Sequence, residues 1–272
     1  MFHDIRCVAI AVCFLLQAAG ACAQMADENY TPLVGQEGKD ILWVPTAQEH
    51  VDIMLNMAKV APSDYVIDLG SGDGRMVIAA AMRGATALGI EYDPQLVDYS
   101  RRAAAKEGVS AKAAFKQADI FDSDFSKATV LTLFLRQELN LRLRPKILDM
   151  KPGTRVVSNS FDMGEWKPDE TVSSLLTHPV SRKTGFFSTH LWIVPAKAHG
   201  TWKIDQGHIR FVQNFQNVTG TLTVKGKDTE LAGKLDGARI VFTAGGMEYA
   251  GTVSRTTISG TRADGTSWKA VR

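Results

Sequence analysis

The stretch VIDLGSGDGR, residues 66–75, runs from apolar residues through three alternating glycines into a segment of helical character. Asp68 stands before the turn and Asp73 inside it. Glycine supplies the positive φ that a tight strand-to-helix turn needs and lets a ligand approach the backbone. The helix start beyond such a turn attracts anions. A phosphate loop of the Gly-x-x-x-x-Gly-Lys-Ser/Thr type is excluded, because no Lys-Ser or Lys-Thr follows. A dinucleotide fingerprint needs Gly-x-Gly-x-x-Gly, whereas Gly70, Gly72 and Gly74 are spaced Gly-x-Gly-x-Gly. Two carboxylates here repel a pyrophosphate, so the expected ligand carries positive charge.

Working outward, residues 61–195 alternate short β-rich runs with helical segments, the pattern of βαβ units around a parallel sheet. The candidate strands are 65–69, 86–91, 113–118, 129–135, 154–158 and 189–195, with helices at 75–83, 95–107 and 139–150. Asp93-Pro94 opens the second helix as a capping residue followed by proline at the first helical position. Pro145 is expected to kink or end the third. Upstream, Val51, Met54, Leu55 and Ala58 have helical spacing within 46–60, and such a helix can lie over a ligand as a flap.

Three acids fall at three successive strand ends: Asp68, Glu91 in GIEYDP, and Asp119 in QADIF. Each alone is equally a turn cap or a solvated loop residue, but at βαβαβ spacing they mark one crevice. S-adenosylmethionine suits it, having a sulfonium, an ammonium and a ribose diol but no phosphate. Asp68 can hold the ammonium, Glu91 can accept both ribose hydroxyls, and Asp119 can accept from the adenine amino group with Ile120 packed on the ring. Gly70, Ser71, Gly72 and Asp73 of the turn complete the candidate cofactor set, together with Tyr92, which with Trp43 can form an aromatic wall.

On these residues the chain resembles the class I, seven-strand, S-adenosylmethionine-dependent methyltransferases. WVPT (43–46), DLGSGDGRMVIAAA (68–81), GIEYDPQLV (89–97) and TLFLRQELNLRLRP (132–145) resemble more narrowly the small protein-lysine methyltransferases of bacteria and mitochondria. The resemblance spans about residues 41–195. It implies a Rossmann-like seven-strand sheet, with Asp68, Gly70, Gly72, Glu91 and Asp119 as cofactor residues and a protein lysine or a small amine as acceptor. Such relatives generally lack the β-rich tail found here, and they tend to carry Leu-Pro where this chain has Arg136-Gln137.

Methyl transfer from a sulfonium is an in-line displacement from an activated leaving group, so orientation and a dry channel matter more than a strong base. A lysine acceptor must still lose its proton. Glu138 and Asn140, just past the fourth strand, are the candidates for orienting the amine, against a plainer reading as helix cap and surface residue. The Asn/Asp-Pro-Pro-Tyr/Phe motif that positions planar bases is missing, which disfavours DNA adenine methylation.

The 272 residues carry 31 basic and 29 acidic side chains, a net charge of +2, which gives no reason to expect nucleic acid as a partner. Residues 1–23 read as a secretory signal peptide: Arg6, a short apolar run, then Ala21-Cys22-Ala23. Export to the periplasm or medium follows, or membrane anchoring if the signal is kept; the apolar run is shorter than the about 20 residues of a spanning helix. Cys7, Cys13 and Cys22 all lie in that segment, so the mature chain has no thiol chemistry, and its histidines have no metal-ligand spacing. The expected organisation is a helical cap at 24–60, the cofactor domain at 61–196 and a small antiparallel β domain at 197–272. That last domain reads as six to eight short strands in a sandwich or partial barrel, with Trp202 and Trp268 as core residues. Since the methyl donor is made in the cytoplasm, export also leaves open a non-catalytic reading: a binding module that retains the fold.

Overall fold

The computed structural model describes residues 29–177 and 181–272. The signal-peptide reading lies outside the described residues. Of the expected helical cap, 29–47 is irregular chain and only α1 (Gln48–Met57) is helical. The elements that follow are β1 (Tyr65–Leu69), α2 (Arg75–Met82), β2 (Thr86–Glu91), α3 (Pro94–Lys106), β3 (Ala113–Gln117), β4 (Val130–Leu133), α4 (Gln137–Leu148), β5 (Arg155–Asn159), β6 (Glu170–Thr177) and β7 (Thr184–Ile193).

These form one seven-stranded sheet in the order β3-β2-β1-β4-β5-β7-β6. The first five strands are parallel and β7 is antiparallel to both of its neighbours. Helices cover both faces, so the central strands are apolar on both sides: all four residues of β4, VLTL, are buried. α1, α2 and α3 pack on one face with Val66, Val130 and Val157, while α4 packs on the other with Ile67, Leu131, Trp166 and Trp192. The chain moves outward from β1 to β2 and β3, then returns to place β4 on the other side of β1. That reversal opens a crevice beyond the carboxyl ends of β1 and β4, where ligands of open α/β sheets bind.

The sequence reading misses β6, whose alternating ETVSSLLT lies at the sheet edge with only Leu176 fully buried. It also places the last strand too late, at 189–195 rather than Thr184–Ile193. Pro145 does not break α4, which continues to Leu148.

From Gly200 the chain forms β8 (Gly200–Ile204), β9 (Gly207–Asn214), β10 (Asn217–Val224), β11 (Lys227–Asp236), β12 (Arg239–Ala244), β13 (Met247–Val253), β14 (Thr257–Arg262) and β15 (Ser267–Val271). These close into an eight-stranded antiparallel barrel rather than a sandwich, β15 meeting β8 at Val271 and Lys203. Eight strands is the size at which side chains fill the interior. Trp202, Phe211 and Phe242 do so, all buried, whereas Trp268 is half-buried and packs edge-on against Phe242 and Tyr249.

The barrel docks at the end of the sheet opposite the crevice. The β9–β10 turn inserts Phe215 against Trp166, rings stacked with centroids 6.0 Å apart, and the Gln216 side chain donates to the Lys167 carbonyl at 2.8 Å. Lys234 pairs with Asp169 at 2.8 Å, and the Ala196 N–H donates to the Gly237 carbonyl at 2.8 Å. With Phe215 packed half-buried against the core of the sheet domain, the two parts are expected to unfold together. Phe215→Ala should lower stability by about 1–3 kcal/mol, less than a fully buried phenylalanine costs, with one calorimetric transition. Two separate transitions in the wild type would refute the coupling.

Candidate active site

β1 ends at Leu69, and Gly70, Gly72 and Gly74 then turn the chain at φ of +76°, +53° and +81°. The Gly70 and Ser71 N–H groups both donate to the Ile90 carbonyl, which fixes the turn against β2. Glycine is required at two of these positions for space as well. A Cβ at Gly72 would collide with the Trp43 indole nitrogen, and one at Gly74 with Phe115 and Ser100. Trp43 thus lies directly on the turn, carried there by the irregular segment before α1.

The turn forms part of a cavity of about 430 Å³. All nine residues of the expected cofactor set line it: Asp68, Gly70, Ser71, Gly72, Asp73, Glu91, Tyr92, Asp119 and Ile120. Their electrostatic states differ. Asp73 forms an ion pair with Arg75, whose guanidinium also donates to the Thr46 carbonyl at 2.7 Å. Its charge is therefore committed to clamping the strap before α1 onto the turn, not to repelling an anion. Asp119 accepts from the Phe121 N–H at 2.8 Å and pairs with Lys39. The Lys39 bond holds this carboxyl below the usual range, with help from the Phe121 N–H. Lys39 also lies 5.0 Å above the ring of exposed Tyr92.

Glu91 accepts three backbone N–H groups: Gly72 at 2.9 Å through one oxygen, and Tyr92 at 2.7 Å and Asp93 at 3.0 Å through the other. A carboxylate has about four acceptor sites, so capacity remains for a ligand hydroxyl. Asp68 is buried on β1 and receives the Thr132 hydroxyl at 2.6 Å. Burial pushes its pKa up to about 7, the negative charges of Glu91 and Asp73 add to the rise, and the Thr132 bond opposes it. Among the described residues Asp68 has no cationic partner. A buried carboxylate in that state favours a ligand cation.

The two residues expected to orient the acceptor are elsewhere. Glu138 is exposed at the start of α4 and pairs with Arg136 at 3.1 Å. Asn140 is buried beneath the crevice, and its amide donates to the Phe161 carbonyl at 3.1 Å, the Ser158 hydroxyl at 3.3 Å and the Asp162 carbonyl at 3.4 Å. It is a strut for the turn after β5. Spacing along the chain puts both residues near the fourth strand end, but the helix phase turns one to solvent and the other under the sheet.

What the sequence does not reveal is a second, apolar cavity of about 220 Å³. It shares Val44, Pro45, Thr46, Phe134 and Phe161 with the first, and adds His50, Asn159, Ser160, Leu176 and Phe187. The ends of β4 and β5 are legible as crevice positions by the strand-end rule. The contribution of β6 and β7 is not, because the pattern of β6 does not announce a strand.

A reversed βαβ sheet with a glycine turn, an acid at each of three strand ends and a buried carboxylate that wants a cation defines a class I S-adenosylmethionine-dependent methyltransferase. Comparison with known proteins narrows this. The family model for the ANTKMT methyltransferase domain matches residues 68–170. A protein-lysine N-methyltransferase of Saccharolobus islandicus is 40% identical over 133 residues, covering 48% of this chain and 83% of that one. A human lysine N-methyltransferase named for a component of ATP synthase is 36% identical over 128 residues, which is 47% of this chain and 54% of the relative. A Salinibacter ruber structure described as an RNA methyltransferase, solved with S-adenosyl-L-homocysteine, is 43% identical with a TM-score of 0.51 and covers 57% of this chain and 95% of that one. The chain belongs to this family of S-adenosylmethionine-dependent methyltransferases.

The raised pKa of Asp68 sets a pH dependence. Its folded value lies above the 3.8 of an ordinary aspartate. The folded state therefore holds the proton more tightly, and stability from this group, full below about 4, is lost as pH rises through about 7. Asp68→Asn should then stabilise the cofactor-free protein at pH 8, by roughly 1–4 kcal/mol, and by much less at pH 4. Wild-type cofactor affinity should rise roughly tenfold per pH unit up to about 7 and then level, and the variant should lose it. Thermal melts and calorimetric titrations at pH 5, 6, 7 and 8 read both effects; a flat affinity profile would contradict the assignment.

Proposed function

We propose that the protein N-methylates lysine side chains of protein acceptors. The observation that carries this is the apolar second cavity of about 220 Å³ against the cofactor cavity, lined by Phe134, Phe161 and Phe187, a lining suited to an aliphatic arm. The lysine activity of the Saccharolobus and human relatives supports it. In this reading Asp68 holds the cofactor ammonium, Glu91 the ribose hydroxyls, and Asp119 with Ile120 the adenine. When bound, the cofactor would supply a methyl group activated by its cationic sulfur, the thioether being the leaving group that keeps the C–S electron pair. The chain's part is to exclude water with the Trp43 strap and to keep the acceptor amine uncharged. Apolar walls do the latter by disfavouring the ammonium, whose ordinary pKa is near 10.4. The methylated ammonium formed by attack releases its proton to solvent.

The Salinibacter structure's description raises RNA as a second acceptor class. The smaller cavity is mostly apolar, and its polar side chains are only His50, Asn159, Ser160, Thr46 and Thr177, none of them charged or a guanidinium for phosphate. The protein with methyl-deuterated S-adenosylmethionine and lysate of the source cells distinguishes the two. Mass spectrometry should find labelled ε-N-methyl-lysine in hydrolysed protein; label in RNA nucleosides with none in lysine would reject the proposal.

Export through residues 1–23 belongs to the same proposal. Among the described residues no helix is long and apolar enough to cross a membrane. The mature protein is expected to begin at Gln24 by N-terminal sequencing, and an intact amino terminus confined to the cytosolic fraction would exclude it.

A further inference from the structure

The smaller cavity contains a polar group that neither the fold nor the cofactor accounts for. His50, on the first turn of α1, is buried, and its ring lies edge-on to Phe187 with centroids 6.4 Å apart. Its Nε2 lies 2.7 Å from the hydroxyl of buried Thr189 on β7. Among the described residues Nδ1 has no hydrogen-bond partner, so it is the nitrogen left for a ligand. The Thr189 hydroxyl can accept from Nε2–H or donate to a bare Nε2, and in the first of these tautomers Nδ1 is an acceptor.

The wall around it is held in place. Ser160 adopts φ +65°, a strained value for a residue other than glycine. Its N–H donates to the Ser188 carbonyl at 2.8 Å and its hydroxyl to the Asn159 side chain at 2.7 Å. Those bonds and the Asn140 strut fix the turn that carries Phe161 into both cavities, where it stacks on Phe134 with centroids 6.4 Å apart.

We propose that the smaller cavity is the channel for the acceptor's aliphatic arm and that His50 is the residue in it that receives the amine. This rests on the lysine reading above. In the tautomer whose Nε2–H donates to Thr189, the Nδ1 atom accepts an N–H of the uncharged amine and so orients its lone pair. Burial lowers the His50 pKa to about 4, so the ring is neutral at physiological pH and does not repel the acceptor. The charged groups on α1 and on the segments flanking it are exposed or paired. Glu49 and Asp52 on α1 are exposed, and Arg75 at Thr46 is paired with Asp73. Arg155 of β5 is bound to Asp64 and to the carbonyls of Ala58 and Lys59 just beyond the far end of α1. His50 is the only ionisable side chain among the described residues that line the cavity. The site therefore selects an uncharged amine on an apolar arm.

The test uses the full chain with ring-¹⁵N-histidine, saturated with S-adenosylhomocysteine, and Nα-acetyl-lysine amide as probe against its norleucine analogue, which has the same arm without the nitrogen. The lysine probe should shift His50 Nδ1 and the norleucine probe should not. Equal shifts, or none, overturn the assignment whether or not the protein turns the probe over. In turnover with the acceptor protein found by labelling, His50→Phe keeps the ring volume and should lower kcat/KM about tenfold or more, with cofactor affinity within about twofold of wild type because His50 does not line the larger cavity. His50→Gln, which restores an acceptor, should recover part of the loss. Unchanged kcat/KM in His50→Phe would also overturn it, while label found only in RNA would reject the lysine reading separately from the His50 contact.

Discussion

The site depends on one unfavourable burial: the Asp68 carboxyl at the end of the central strand, with a single side-chain hydrogen bond from Thr132 and two other carboxylates nearby. A sheet that merely needed to fold would have an apolar residue there, between Ile67 and Leu69, which are both buried. The arrangement around Asp68 is consistent with a place reserved for a cation. Asp73 and Asp119 each receive a cation from the chain itself, Arg75 and Lys39. Asp68 does not, so the ligand's charge is the one that completes the electrostatics.

Arg75 and Lys39 also show how the irregular chain before α1 is kept on the site. Residues 38–46 contribute no strand or helix, yet all of them line the larger cavity. They are held by Arg75 on the Thr46 carbonyl, by Trp43 against Gly72 and by Lys39 on Asp119. Each anchor joins the strap to a residue of the cofactor site. Binding and closure are then linked: a ligand that engages Asp119 competes with Lys39 for it, and a turn altered at Gly72 loses its contact with Trp43.

The acidic side of the cofactor cavity is legible in the sequence because its residues sit at strand ends, and strand ends are set by local pattern: VIDLG, GIEYD and QADIF each mark one; the strap at 38–46 is not, apart from Trp43, since it forms no regular element. The smaller cavity is not legible for the complementary reason. It is built where β5, β6 and β7 meet α1, from residues more than 100 positions apart such as His50 and Thr189, and no local spacing relates them. Asn140 shows the limit of proximity reasoning: it follows β4 closely, but helix phase buries it against the Phe161 turn. The barrel illustrates the same boundary. Alternation marks its strands, while closure depends on β15 returning to β8, a pairing made at Val271 and Lys203 alone.

The barrel's position constrains what it can do. It is fixed to the sheet domain through Phe215, Gln216 and Lys234, at the end where β5 begins and β7 finishes, and none of its residues lines either cavity. The carboxyl ends of the parallel strands, where both cavities open, are at the other end of the sheet. A direct role in gripping the acceptor lysine would require the acceptor to reach around the length of the strands. The packing of Phe215 against Trp166, itself against Trp192 of β7, gives the barrel a different kind of influence. Trp192 lies on the same antiparallel strand as Phe187, which lines the smaller cavity, so the barrel reaches that cavity only by way of the strand and not by contact.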